Sequence, residues 1–111
     1  MRVYEAIGET LKRLDVRATF GLMGDGNLRF MTHLAEELGM PYYAARHEGG
    51  AVAMADGYAR VSGRVGVCSV TQGPGVTNTL TALTEARKAS TPIVTSCGRH
   101  RGTDIKAQSG C

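Results

Sequence analysis

No stretch of this 111-residue chain approaches the roughly 20 consecutive apolar residues that a bilayer-spanning helix needs, so a membrane helix is excluded. The amino terminus, Met1-Arg2-Val3-Tyr4-Glu5, lacks a charged-then-apolar export signal and enters a helical pattern directly. Both absences make a cytoplasmic protein the expectation. Cysteine is sparse. Cys68, Cys97 and Cys111 are too few and too far apart for a zinc cluster, and an odd number fits a reduced compartment better than a disulfide framework. His33, His47 and His100 share no helical spacing that would build a metal site. Charge of one sign is also scarce, at a net +3. Arg99-His100-Arg101 and Lys106 form a basic tail, yet no aromatic residues are interleaved for base stacking, so nucleic acid is not an expected partner. What is present is an apolar fraction of 42%, which suits a globular core and argues against disorder. At this length the chain is one domain or a piece of one, able to bury about two-thirds of its unfolded surface.

The hydrophobic pattern alternates between two periods. Val3, Ile7, Leu11 and Leu14 recur at helical spacing over 3–14. Ala18 to Met23 is a short apolar run ending in glycine, the pattern of a buried strand. Leu28, Met31, Leu34, Ala35 and Leu38 restore the helical period until Gly39-Met40-Pro41 stops it. Tyr42 to Ala45 reads as a second strand, and 48–61 as a helix with Ala51, Ala55, Tyr58 and Ala59 on one face. Val65 to Thr71 is the clearest strand, with Cys68 buried inside it. A helix from Val76 to about Ala89 and a strand at Pro92 to Ser96 complete the series. Uninterrupted alternation predicts an α/β fold: a three-layer, Rossmann-like domain with a mainly parallel sheet flanked by helices. Ligands of such sheets sit beyond the carboxyl ends of the strands. Three loops qualify, at 24–27, 46–48 and 72–75, and each has an unusual sequence.

Two familiar ligand motifs are incomplete. A phosphate-binding P-loop lacks its lysine, and Arg29 stands where a dinucleotide fingerprint needs its third glycine. Two other segments are complete. One is Arg46-His47-Glu48-Gly49-Gly50-Ala51-Val52-Ala53-Met54-Ala55-Asp56-Gly57-Tyr58-Ala59-Arg60, and the other is Thr71-Gln72-Gly73-Pro74-Gly75-Val76-Thr77-Asn78. By spacing alone, Glu48 is an acid in the first turn of a helix, where the dipole and free N–H groups favour it. Likewise the glycine loop is by itself only a tight strand-to-helix connection. Together, however, the two strings resemble the N-terminal, pyrimidine-binding domain of thiamine-diphosphate enzymes of the acetolactate synthase and 2-keto-acid decarboxylase type.

That resemblance assigns chemistry to residues. It makes Glu48 the catalytic carboxyl, sharing a proton with the aminopyrimidine nitrogen N1′ of thiamine diphosphate so that the cofactor can lose its thiazolium C2 proton. A single carboxyl in a water-poor pocket suits that task, because its hydrogen bond is strong there and its protonation can be tuned. The resemblance further implies that Thr71, Gly73, Pro74, Gly75 and Asn78 line the ring pocket. It puts Met23 and Gly24 near the ring in a segment, Phe20-Gly21-Leu22-Met23-Gly24, that carries proline at position 23 in many relatives. Gln72 stands where many relatives have a small residue, as a candidate for narrowing the pocket or reaching the substrate. Thr77-Asn78 resembles the acetolactate synthase side of the superfamily more than the decarboxylase side.

Gly24-Asp25-Gly26 looks like the start of the superfamily's diphosphate and Mg²⁺ motif. Its second half is missing, because residues 49–55 offer only Gly, Ala, Val and Met where oxygen ligands are required. No metal residue is therefore assigned in this chain, and Mg²⁺ is expected in a separate domain; FAD, bound by some relatives, is not specified by these residues. The resemblance covers nearly all of 1–97 and implies more helix and strand past Cys111, so residues 1–111 read as an N-terminal domain incomplete at its C-terminus. It also implies an enzyme that acts on a 2-keto acid such as pyruvate, as a homodimer or homotetramer whose pyrimidine-binding and diphosphate-binding domains meet across subunits. Alone, the 111 residues are expected to be inactive. The alternatives are a catalytically silent regulatory or structural relative, a simple 2-keto-acid decarboxylase, and an unrelated Rossmann-like nucleotide module.

Overall fold

The computed structural model describes residues 2–98. The expectations for the basic tail, for His100 and for the open end of the chain fall outside the described residues. In chain order the elements are α1 (Val3–Arg13), β1 (Thr19–Gly21), α2 (Leu28–Thr32, widening into a π-helical turn at His33–Glu37) and β2 (Tyr42–Ala44). Then come α3 (Glu48–Ser62), β3 (Gly66–Val70), α4 (Pro74–Thr77), α5 (Leu80–Lys88) and β4 (Ile93–Cys97). The four strands form one parallel sheet in the order β2-β1-β3-β4. The α/β prediction holds, with flanking helices on both faces of the sheet.

Strand pleating sorts the core into two halves. Alternate residues of a strand face opposite sides. Ala18, Phe20, Cys68 and Val70 meet Ala51, Val52 and Ala55 of α3, with Ala82 and Leu83 of α5 packed behind. Val67 points the other way, into a cluster of Leu11, Phe30, Met31, Leu34 and Met40 under α1 and α2. The alanines of α3 let it lie close to the sheet. At Gly66 the approach is so tight that any side chain would run into the Ala55 carbonyl oxygen. Lower on α3, buried Asp56 accepts two bonds from the Arg60 guanidinium, at 2.7 and 3.0 Å. That guanidinium holds the Asp56 carboxyl below the usual carboxylate range.

Three elements differ from their sequence reading. The second helix is not uniform, because its hydrogen-bond ladder widens at His33. There the buried imidazole packs edge-to-face on Tyr4, with ring centroids 5.6 Å apart, and its Nδ1 lies 3.0 Å from Glu37. The helix expected from Val76 to Ala89 is broken in two. Thr79 is the cause: its hydroxyl donates to the Val76 carbonyl at 2.5 Å, and its N–H bonds the same oxygen at 3.0 Å, which tightens the turn between α4 and α5. Finally, the apolar stripe of α1 is only partly used. Gly8 and Leu11 are buried, whereas Val3 and Leu14 are exposed, because α1 meets the domain mainly through α2 and its π-helical extension.

Strand order positions the site. From β1 the chain steps outward through α2 to β2, then returns across β1 through α3 to β3 on its other side. The connections after β1 and β3 therefore leave the sheet toward opposite faces, which opens a crevice beyond the carboxyl ends of those neighbouring strands. Such a switch point is where open α/β sheets bind their ligands.

Candidate cofactor site

Each of the three loops at this crevice is fixed by its own hydrogen bonds. After β1 the chain turns at Gly24, and buried Asn27 fastens the turn. The Asn27 Oδ1 accepts from the Gly24 N–H at 2.7 Å, and its Nδ2 donates at 3.2 Å to both the Leu22 carbonyl and the Ser69 hydroxyl. After β2, His47 is extended and caps α3, its Nδ1 accepting from the Gly49 N–H at 3.0 Å. Glu48 follows as the first residue of α3, half-buried. After β3, Gly73 adopts φ 69° and ψ −122°, a backbone conformation open to glycine and strained for other residues. That turn lets Pro74 begin α4 directly, with proline at a helix start where its missing N–H costs nothing.

The loops also hold one another. The Gly26 N–H donates to the Thr71 hydroxyl at 3.2 Å, and the Thr71 hydroxyl donates to the Gln72 side-chain carbonyl at 2.9 Å. A side chain on Gly24 would meet the Thr71 methyl at 2.9 Å, and one on Gly26 would collide with the Gln72 oxygen. Thus Thr71 and the carbonyl end of Gln72 are turned back onto the first loop. On the other side of Thr71, a Cβ at Gly75 would stand 3.1 Å from the Thr71 methyl and 3.7 Å from the Glu48 Oε1. The second Glu48 oxygen, Oε2, accepts from the Asn78 Nδ2 at 3.2 Å.

Of the residues singled out in the sequence, Glu48, Thr71, Gly75 and Asn78 converge on one small region, with Gly73 and Pro74 forming its rim. Gly24 joins it through Thr71. Met23 sits on the exposed shoulder of the first loop. Two residues that sequence reasoning missed are Asn27 and His47. For Asn27 the signal was positional, since it immediately precedes a helix, where short polar side chains are favoured, whereas His47 is not a residue type that such positions favour. Beside Glu48 an open groove of about 790 Å³ begins at His47 and Gly49, passes Asn78 and runs along Thr84, Glu85 and Lys88 of α5.

Residues 1–110 match the family described as thiamine pyrophosphate enzyme, N-terminal TPP binding domain. The chain belongs to this family. It is 42% identical over 97 residues to an acetolactate synthase of Arthrospira platensis, an alignment covering 85% of this chain and 17% of that protein. It is 43% identical over 98 residues to 2-hydroxyacyl-CoA lyase 2 of Xenopus laevis, covering 88% of this chain and 15% of that one. Among solved structures it resembles a thiamine diphosphate-dependent 4-hydroxybenzoylformate decarboxylase of Rhodococcus jostii RHA1, with a TM-score of 0.81 and 28% identity over 90% of this chain and 19% of the other. The chain thus spans about a sixth of the length of the curated relatives it matches.

The site of this thiamine pyrophosphate family member can be tested against the cofactor from its own donor set. An aminopyrimidine is flat, with ring nitrogens that need hydrogen-bonding partners. Here a carboxyl has one oxygen held by an amide and the other turned toward Gly75, which carries no Cβ, and this fits a flat ring carrying a protonatable nitrogen. The diphosphate end is different. Among the described residues no three His, Cys, Asp or Glu side chains gather as a metal site, and Asp25 stands exposed. The residues at this crevice fit the pyrimidine end of the cofactor. Among the described residues, no helix is long and apolar enough to cross a membrane.

Proposed function

We propose that this chain is the N-terminal part of an acetolactate synthase-like enzyme that uses thiamine diphosphate to decarboxylate a 2-keto acid such as pyruvate, and then transfers or releases the product. The observation that carries the reading is the placement of Glu48 at the switch point of the sheet, with Oε1 facing Gly75 and Oε2 bonded to Asn78. Family membership and the acetolactate synthase relative support it. A simple 2-keto-acid decarboxylase is the second reading, supported by the likeness to the Rhodococcus decarboxylase.

In this proposal Glu48 and the Gly73-Pro74-Gly75 turn would hold the pyrimidine end of thiamine diphosphate, which when bound would supply a nucleophilic thiazolium carbon and an electron sink for decarboxylation. The chain's own residues prepare it. Glu48 would share a proton with the pyrimidine N1′, which would favour the imino tautomer of the exocyclic amine, the form able to accept the C2 proton. Gly73 and Gly75 would leave the turn open to close approach by the ring, with the Pro74 pyrrolidine fixing its backbone between them. Thr71 ties that turn to the Gly24 loop, and Met23 and Gly24 close the shoulder on the β1 side. Gln72 remains the candidate for substrate contact, through the amide nitrogen left over once Thr71 has engaged its oxygen. The diphosphate and Mg²⁺ are assigned to a separate domain, contributed by the partner in a homodimer or homotetramer, and the enzyme is assigned to the cytoplasm.

The test is turnover by the intact protein, stripped of cofactor and then supplied with thiamine diphosphate and Mg²⁺. Consumption of pyruvate or another 2-keto acid should appear only on addition of the cofactor. A carbon–carbon product marks the synthase, and an aldehyde marks the decarboxylase. Tight cofactor binding without consumption of any of a panel of 2-keto acids would contradict the proposal in favour of a silent relative.

A further inference from the structure

We infer that Asn78 is the positioning residue for Glu48: its carboxamide holds one carboxylate oxygen so that the other stays turned toward the glycine turn. The inference rests on the assignment of Glu48 as the group that meets the aminopyrimidine. A glutamate has three side-chain torsions, and at a half-open helix start nothing in its covalent structure selects one rotamer. The Asn78 Nδ2 supplies that selection by donating to Oε2 at 3.2 Å, which leaves Oε1 on the side of Gly75.

Asn78 is itself well fixed. Its N–H bonds the Pro74 carbonyl at 2.9 Å, closing the last turn of α4. Its own carbonyl lies 3.3 Å from where a Cβ on Gly49 would stand, so the start of α3 and the end of α4 are in direct contact. The first α3 residue after the carboxyl is Gly49, whose lack of a Cβ suits this close approach. The two halves of the site are thus registered by a backbone approach at Gly49 and by the amide–carboxylate bond beside it. The chemistry of this pair is specific, because a carboxamide presents a donor that remains neutral at every working pH.

Two substitutions in the intact protein separate this role from simple space filling. Asn78→Ala removes the donor. C2 hydrogen exchange on bound thiamine diphosphate should fall by about ten- to a hundredfold, the range for losing one hydrogen bond to a charged group, with the cofactor Kd near its wild-type value by calorimetry. In the cofactor-free protein the Glu48 side chain should pass from one rotamer to several, read from side-chain NMR couplings. Asn78→Asp keeps the shape and replaces the donor by a second acid. Exchange should be low at neutral pH and recover as pH falls, because two adjoining carboxyls then share a proton that restores the donor. The other ionisable groups around the pair are Arg46 and His47 on the same loop and Glu85 and Lys88 across the groove. These remain in both variants, so a pH response confined to Asn78→Asp belongs to the new carboxyl.

Wild-type exchange in Asn78→Ala, with Glu48→Gln inert, overturns the positioning role and leaves the Glu48 assignment standing. Undiminished exchange in Glu48→Gln overturns that assignment instead. Should Asn78→Ala fail to fold, the pH profile of the isosteric Asn78→Asp decides, and a flat profile overturns the inference.

Discussion

Glu48→Gln is expected to lower 2-keto-acid turnover by about a hundred- to ten-thousandfold, the usual contribution of a positioned acid–base group. Glutamine fills the same volume, can begin the same helix and can still accept from the Asn78 amide through its carbonyl oxygen. It cannot share a proton with a ring nitrogen. The loss should therefore appear in the rate of C2 hydrogen exchange and in kcat, with thiamine diphosphate binding largely kept, since most of the affinity is assigned to a diphosphate site elsewhere. Equal losses in affinity and rate would mean that Glu48 merely holds the ring. Undiminished exchange would refute the assigned role.

The second large effect lies in the core beneath the site. Met31 is fully buried on α2, between Phe30, Leu34 and the underside of the sheet at Val67. Met31→Ala removes three heavy atoms from a packed interior and should destabilise the fold by about 2–5 kcal/mol. For a domain of this size that corresponds to a drop in Tm on the order of 10–30 °C. The site should feel it too, because α2 begins directly after Asn27, whose side chain fastens the Gly24 turn and bonds Ser69 near the end of β3. Thermal unfolding and urea titration measure the effect. A Tm shift of only a degree or two would show that the cluster under α1 and α2 collapses around the gap or carries little of the stability.

The sheet and its order of elements were legible because alternation of strand and helical periods is a strong signal. Val65 to Thr71 has no other reading than a buried strand, and Gly66–Val70 is the longest fully buried strand of the sheet. The break between α4 and α5 was not legible. Leu80 and Leu83 keep the helical period across it, and only the local competition of the Thr79 hydroxyl for a backbone carbonyl interrupts the ladder. The widened turn at His33 is equally silent in the pattern, because one extra residue per turn over five residues barely shifts a period. The exposed Val3 and Leu14 show the limit from the other side: periodicity reports which face is apolar and not whether a neighbour covers it.

At the site, the residue types were readable and the wiring was not. Glu48, the glycine turn and Asn78 stand out as strings, and the loops carrying them could be placed at one end of a parallel sheet. Their mutual geometry depends on contacts between residues 30 or more positions apart, such as Asn78 with Glu48 and Gly26 with Thr71. Gln72 illustrates the gap. In sequence it is a bulky side chain beside a ligand loop, free to point anywhere. In the fold its oxygen accepts from the hydroxyl of the neighbouring Thr71, which turns that end of the side chain toward the first loop.

The most direct measurement is the structure of the intact protein with thiamine diphosphate bound. A Glu48 carboxyl oxygen should lie about 2.6–3.2 Å from the pyrimidine N1′, with the ring resting on the Gly73-Pro74-Gly75 turn. A ring bound elsewhere, with the Glu48 carboxyl turned into water, would contradict the proposed chemistry.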